Sequence, residues 1–291
     1  MRPAMCAGNI CIRAPRNFSR VLAVNPGRRP EGLKNSPRLG VGCFPDSATI
    51  PRMTSPKEWR TEAVFLLGGG TVACALLGTL LFALLHHFHV AGFLSETSPA
   101  ALLIATLSFH GTVFLLSIPF LKYHQTSWSA VLGFDRPGLV PALGLAFMAF
   151  LLILPSVWGL QALSAAILHH FHYPIEDQVA IDLLLNVKSS LLRIYLILFA
   201  TVLAPVAEEF IFRGVLYPWL RRYGHPALAW VVPSFLFALV HFSVPIFLPL
   251  FALALALTAL YALTGRLLCT IVVHALFNAI NVLLLFHNPA P

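Results

Sequence analysis

The amino-acid sequence describes an all-α protein, a polytopic transmembrane helical bundle of about seven spans. Composition, the length of the apolar blocks and the placement of basic residues agree on this. Of 291 residues, 58% are hydrophobic and only 10% charged, and most of the chain runs as uninterrupted apolar blocks of bilayer-crossing size. A helix needs about 20 apolar residues to cross roughly 30 Å of hydrocarbon. Seven segments reach or approach that length, at about 62–86, 100–121, 139–168, 190–216, 226–242, 246–263 and 268–286.

The connections between these segments supply an independent check. The segment before the first span is strongly basic and the loop at 87–99 has no Lys or Arg. The loop at 122–138 has Lys122 and Arg136, and 169–189 has one Lys against three acids. Arg221 and Arg222 follow the fourth span, 243–245 has no basic residue, and 264–267 has Arg266. Basic loops alternate throughout, as the positive-inside rule requires. The expected protein is therefore integral and multi-pass, with a cytoplasmic N-terminus, an outside C-terminus and, if the source is bacterial, residence in the cell membrane.

The net charge of +8 points to an acidic partner only until it is mapped. Residues 1–60 hold eleven Lys/Arg against three acids, and residues 61–291 hold eight against eight. The basic segment is rich in Pro, Gly, Asn, Ser and Arg without sustained apolar periodicity, so it buries too little surface to offset its ordering entropy and is expected to be disordered. Its Arg-rich, acid-poor composition permits an organelle transit peptide, whereas a start at Met53 leaves "MTSPKEWRTEAVFLL" as a short polar head before the first span. Its arginines are scattered rather than clustered with aromatics, so nucleic acid is not an expected partner. The five cysteines show no CxxC or finger spacing, which implies neither a disulfide framework nor a zinc module. The expected organisation is a tail at 1–60, N-terminal transmembrane helices at 61–186 and a catalytic helical core at 187–288.

Within the fourth span, "VLAPVAEEFIFRGVLYPWLRR" (202–222) places Glu208, Glu209 and Arg213 among apolar residues. Each costs about 2.5 to 3.5 kcal/mol at a bilayer centre, and intramembrane charges are functional-site candidates. Glu209 and Arg213 stand at i and i+4 and can pair on one helix face. Glu208 lies about 100° round the helix with no local cation, a placement suited to proton transfer. A continuous helix from Leu191 to Arg222 would run about 48 Å, longer than the hydrocarbon core, and Pro205 precedes the glutamates, so a bend or break is expected there.

Two other spans carry polar groups at comparable depth. "SFLFALVHFSV" supplies His241, and "CTIVVHALFNAI" supplies His274 and Asn278, again at i and i+4. Taken singly these read as interhelical hydrogen-bonders. Taken together, a carboxylate, an imidazole and a His/Asn donor pair are the minimum equipment for hydrolysing a peptide bond with an activated water. A second feature is the near-repeat "LLHHFHV" and "ILHHFHY" at the ends of the first and third spans. It offers either a metal site from His86, His89, His169 and His172 or, as preferred, interfacial histidines that end helices.

These motifs have a familial pattern. "EEFIFR" fits EExxxR, "FALVH" from Phe237 to His241 fits FxxxH, and "HALFN" from His274 to Asn278 fits HxxxN, in that order. The chain resembles the CPBP family of intramembrane endopeptidases, which includes the Ras-converting CAAX endopeptidases and the bacteriocin-processing or self-immunity proteins, over roughly residues 190–286. The resemblance implies that Glu208 and His241 activate water and that His274 and Asn278 stabilise the oxyanion. It further implies that Glu209 and Arg213 support the first motif and Phe237 packs the second. Members have been labelled metalloproteases, and Glu208, His241 and His274 would be the ligands if zinc were used. With no HExxH present and Asn a poor zinc ligand, the preferred mechanism has no metal and no cofactor. The implied partners are membrane lipid and a membrane-bound or lipidated peptide, such as a prenylated CAAX substrate. A non-catalytic immunity or scaffold protein is the alternative, and a transporter is disfavoured because no inverted repeat is evident.

Overall fold

The computed structural model describes residues 59–90, 98–173 and 179–287. Residues 1–58 of the expected tail, Met53 included, lie outside the described residues. Among those described there are helices and no strands: α1 Thr61–His87, α2 Pro99–Tyr123, α3 Trp128–Leu132, α4 Leu139–His170, α5 Val179–Asn186, α6 Ser190–Arg221, α7 Pro226–Leu239, α8 Val244–Thr264 and α9 Leu267–His287. Six of these, α1, α2, α4, α6, α8 and α9, are long and apolar enough to cross a membrane. Their outer faces present large apolar side chains such as Phe65, Leu76, Val140 and Leu152, as expected of helices that are apolar all round.

The fifth expected span, at about 226–242, forms a shorter apolar helix. α7 has 14 residues, about 21 Å of helix, and stops before His241. The cause is local. His241 Nδ1 lies 2.7 Å from the Phe237 carbonyl, the group a continuing helix would give to the backbone N–H of residue 241. The backbone N–H of His241 goes instead to Ala238 O at 3.4 Å, and Phe242 turns into the left-handed region at φ 48°. The imidazole therefore ends its own helix.

The expected break in the fourth span also takes another form. α6 is continuous over 32 residues but contains two π-helical stretches, Phe199–Leu203 and Phe210–Leu216, on either side of the regular turn Ala204–Glu209. Pro205 has no N–H to offer the carbonyls one turn earlier. The wider π register absorbs that loss without a break, as π-bulges within helices commonly do at functional sites.

The twin "HHFH" sequences end α1 and α4 in the same way. His89 and His172 adopt φ 51° and 55°, and Val90 N donates to Leu85 O while Tyr173 N donates to Leu168 O. This is a shared helix-ending turn in which a left-handed residue lets the following N–H satisfy an orphan carbonyl. Among the described residues no group of three His, Cys, Asp or Glu side chains is arranged to hold a metal ion.

Three apolar clusters hold the bundle. Trp59, Val113, Phe120, Phe210 and Leu267 join α1, α2, α6 and α9; Phe150, Leu253, Leu257, Val273 and Phe277 join α4, α8 and α9; and Phe212, Phe237 and Ala254 join α6, α7 and α8. Trp59, just before α1, is buried and donates its indole N–H to Gly214 O in α6 at 2.7 Å. Arg222 donates to Trp59 O and Thr61 Oγ1, so the start of α1 is fastened to the end of α6. Arg266 is buried at the start of α9, where its guanidinium donates to the carbonyls of Gly133, Arg136 and Pro137.

Candidate active site

The polar centre forms where α6, α7, α8 and α9 meet, with α2 closing one side. Arg213 and Glu209 are fully buried and pair at 2.6 Å across one helical turn. The remaining guanidinium hydrogens are directed to Ala254 O at 2.9 Å and Thr258 Oγ1 at 3.4 Å on α8, and Thr258 also meets Ser234 Oγ of α7 at 3.3 Å. Arg213 Cζ stands 4.8 Å over the Phe237 ring. A buried charge is tolerable only when paired and hydrogen-bonded, and this one meets both conditions.

Glu209 passes the arrangement on to α9. Its Oε1 lies 2.9 Å from His274 Nδ1, so the ring is oriented by a carboxylate and its Nδ1 carries the proton for that bond. His274 Nε2 then faces Glu208 Oε2 at 3.7 Å. Adjacent glutamates thus face the two nitrogens of one imidazole. Glu209 Oε2 is buried with no hydrogen-bond partner.

Glu208 differs from Glu209 in keeping some exposure, 14% of its side chain. Its neighbours from other helices are imidazoles. His110 Nε2 of α2 is 3.5 Å from its Oε1, and the imidazoles of His274, His241 and His110 all lie within electrostatic reach. His241 has its Nδ1 committed to Phe237 O, which leaves Nε2 as the basic nitrogen. Phe237 is fully buried and sets its ring against His241 at 5.1 Å, His274 at 5.6 Å and Phe212 at 5.4 Å. The aromatic residue of the second motif is thus the surface on which both histidines are held.

Asn278 faces α6 like His274, one turn away, but reaches it two turns before Glu208. Its Nδ2 donates to Ala200 O at 2.9 Å. Ala200 is five residues before Pro205, the carbonyl that a π-register N–H at 205 would have occupied, so the side-chain amide fills a vacancy created by the proline. One amide hydrogen remains for another acceptor.

The structure thus brings Glu208, Glu209, Arg213, Phe237 and His274 into one contact network, places His241 at its edge and sets Asn278 on the adjoining turn of α9. Sequence reasoning missed His110, Ala254, Thr258 and Ser234. His110 offered one signal, a lone imidazole within the apolar span at 100–121. Residues 190–280 match the family model described as type II CAAX prenyl endopeptidase Rce1-like, a match consistent with an intramembrane protease of the CPBP family. No curated protein and no solved structure matches the chain.

Proposed function

We propose that this chain is an intramembrane endopeptidase that hydrolyses a peptide bond of a membrane-associated, prenylated CAAX-type substrate with a water activated by Glu208. The observation that carries this reading is the asymmetry of the two adjacent glutamates. Glu209 is sealed and neutralised by Arg213, while Glu208 keeps some exposure among imidazoles.

In this reading water enters between Glu208 and His241 and gives up a proton as it attacks the substrate carbonyl. Doubly protonated His274, its Nδ1–H held by Glu209, donates its Nε2–H to the developing charge. The free amide hydrogen of Asn278 contributes the second donor to the tetrahedral oxyanion. The proton held on Glu208 or His241 then passes to the leaving amine. The tetrahedral intermediate collapses with cleavage of the C–N bond, and water has supplied the new carboxyl oxygen and the amine hydrogen.

Zinc is the cofactor that the family resemblance brings into question. The Nδ1 contacts of His274 and His241 leave each Nε2 free, as in zinc ligands, but among the described residues no three His, Cys, Asp or Glu side chains are arranged to hold a metal ion, and Asn278 is a poor ligand. No step is therefore routed through a metal.

The test is cleavage of a prenylated C-terminal CAAX peptide by protein in liposomes, read by mass spectrometry with a zinc chelator present. Wild type is expected to cut after the modified cysteine and Glu208→Ala is not. Intact peptide with folded wild-type protein would overturn the CAAX assignment and turn attention to a non-catalytic immunity or scaffold role.

A further inference from the structure

We propose that His110 is a positioning residue for Glu208, holding one carboxylate oxygen so that the other faces the reacting water. The kinetic part of this proposal rests on the endopeptidase reading; the contact itself does not.

His110 lies on α2, outside the segment matched by the family model, and 98 residues from Glu208. It sits in a π-helical stretch, Leu107–Gly111. Such a stretch gives up regular helix geometry and is frequent at functional sites. The neighbouring helix accommodates it by a close approach: a Cβ placed on Gly78 of α1 would stand 2.4 Å from Ser108 Cβ. The ring is fixed edge-on between Phe109 and Phe199, each with its centroid 4.8 Å away. Phe199 opens the first π stretch of α6, so irregular turns from two helices meet at this imidazole.

The ring's own hydrogen bonding selects one tautomer. Nδ1 is buried and has no partner, whereas Nε2 faces Glu208 Oε1 at 3.5 Å. A proton on Nδ1 would leave a buried donor unsatisfied, which is more costly than an unsatisfied lone pair on an imidazole in apolar surroundings. The neutral Nε2–H form therefore donates to Oε1. The distance is at the long end for a hydrogen bond, and catalytic contacts of this kind shorten when substrate is bound. With Oε1 held by His110 of α2 and Oε2 turned to His274 of α9 at 3.7 Å, the two carboxylate oxygens face different helices. The role parallels that of outer-shell groups that orient a catalytic ligand without touching substrate.

Two variants separate donation from packing. His110→Phe keeps a ring between Phe109 and Phe199 and removes the donor; His110→Gln removes the ring and keeps an N–H near the Nε2 position. On the prenylated peptide, His110→Phe is expected to lower kcat about tenfold or more with KM little changed, as loss of an orienting group does. His110→Gln is expected to recover most of that loss. Alongside these, ¹⁵N-histidine NMR of the wild-type protein in liposomes, with His110 assigned by its absence in His110→Gln, should show a neutral Nε2–H ring whose resonance moves in Glu208→Ala. Wild-type kcat in His110→Phe, a Gln variant as slow as Phe, or a His110 resonance that ignores Glu208→Ala would each overturn the proposal. A wild type that leaves the peptide intact defeats the endopeptidase reading instead, and the histidine spectrum then decides the contact by itself.

Discussion

Glu208 and Glu209 are neighbours in sequence and opposites in circumstance. Around Glu209 the chain spends an arginine, a threonine, a backbone carbonyl and a histidine to neutralise one buried charge. Around Glu208 it supplies imidazoles, groups that can take up or release a proton, and it leaves part of the side chain exposed. A rotation of about 100° along one helix is enough to direct one carboxylate to the network that holds α6 to α8 and α9, and the other to the region where chemistry is proposed. The lesson is that charge inside an apolar bundle divides into groups that are silenced and groups that are kept available, and burial together with partner type tells them apart.

This contrast can be broken experimentally. The largest expected effect is on Glu208: Glu208→Gln should lower kcat for peptide cleavage by about 10²–10⁴-fold, the range for a general acid–base group, with thermal unfolding unchanged. A variant that loses activity only because it unfolds would put Glu208 with Glu209. Next is Arg213→Met, which leaves Glu209 charged and unpaired and should destabilise the protein by about 3–5 kcal/mol in detergent unfolding. Near-native stability there would show that the sealed network is not what holds these helices.

A smaller effect sharpens the picture at Asn278. Asn278→Ala should cost about 1–3 kcal/mol by exposing Ala200 O as an unsatisfied acceptor. Adding Pro205→Ala, which returns a backbone N–H to α6, should recover part of it, so a double-mutant cycle is expected to show coupling between two residues that share only that carbonyl. Additive losses would remove the link between Asn278 and the proline. The smallest effect is expected from zinc chelation, which should leave the cleavage rate where it was; a rate abolished by chelator and restored by zinc would call for a metal bound to Glu208, His241 and His274.

Much of this was legible before any coordinates. Apolar block length carries the span count because the bilayer sets the length, and six of the expected segments are full-length helices. The i, i+4 spacing of Glu209 and Arg213 foretells their pairing, since helix geometry alone brings them together. Other features depend on what no local pattern records. Pro205 announces irregularity, but whether a helix kinks or widens depends on its neighbours, and here Asn278 serves the affected carbonyl. The early end of α7 follows from a side chain competing with its own backbone at His241. His110 has no motif around it, and its partner lies 98 residues away in the sequence.

The indole of Trp59 has a further consequence. By donating to Gly214 O, one residue past Arg213, it fastens the start of the first helix to the turn that carries the buried arginine. The segment from 190 to 280 is therefore not a portable cassette. Grafted onto foreign first helices, it would arrive without the indole that steadies Gly214 and without the imidazole that faces Glu208, so a chimera would need both restored before its silence could be taken as a property of the graft.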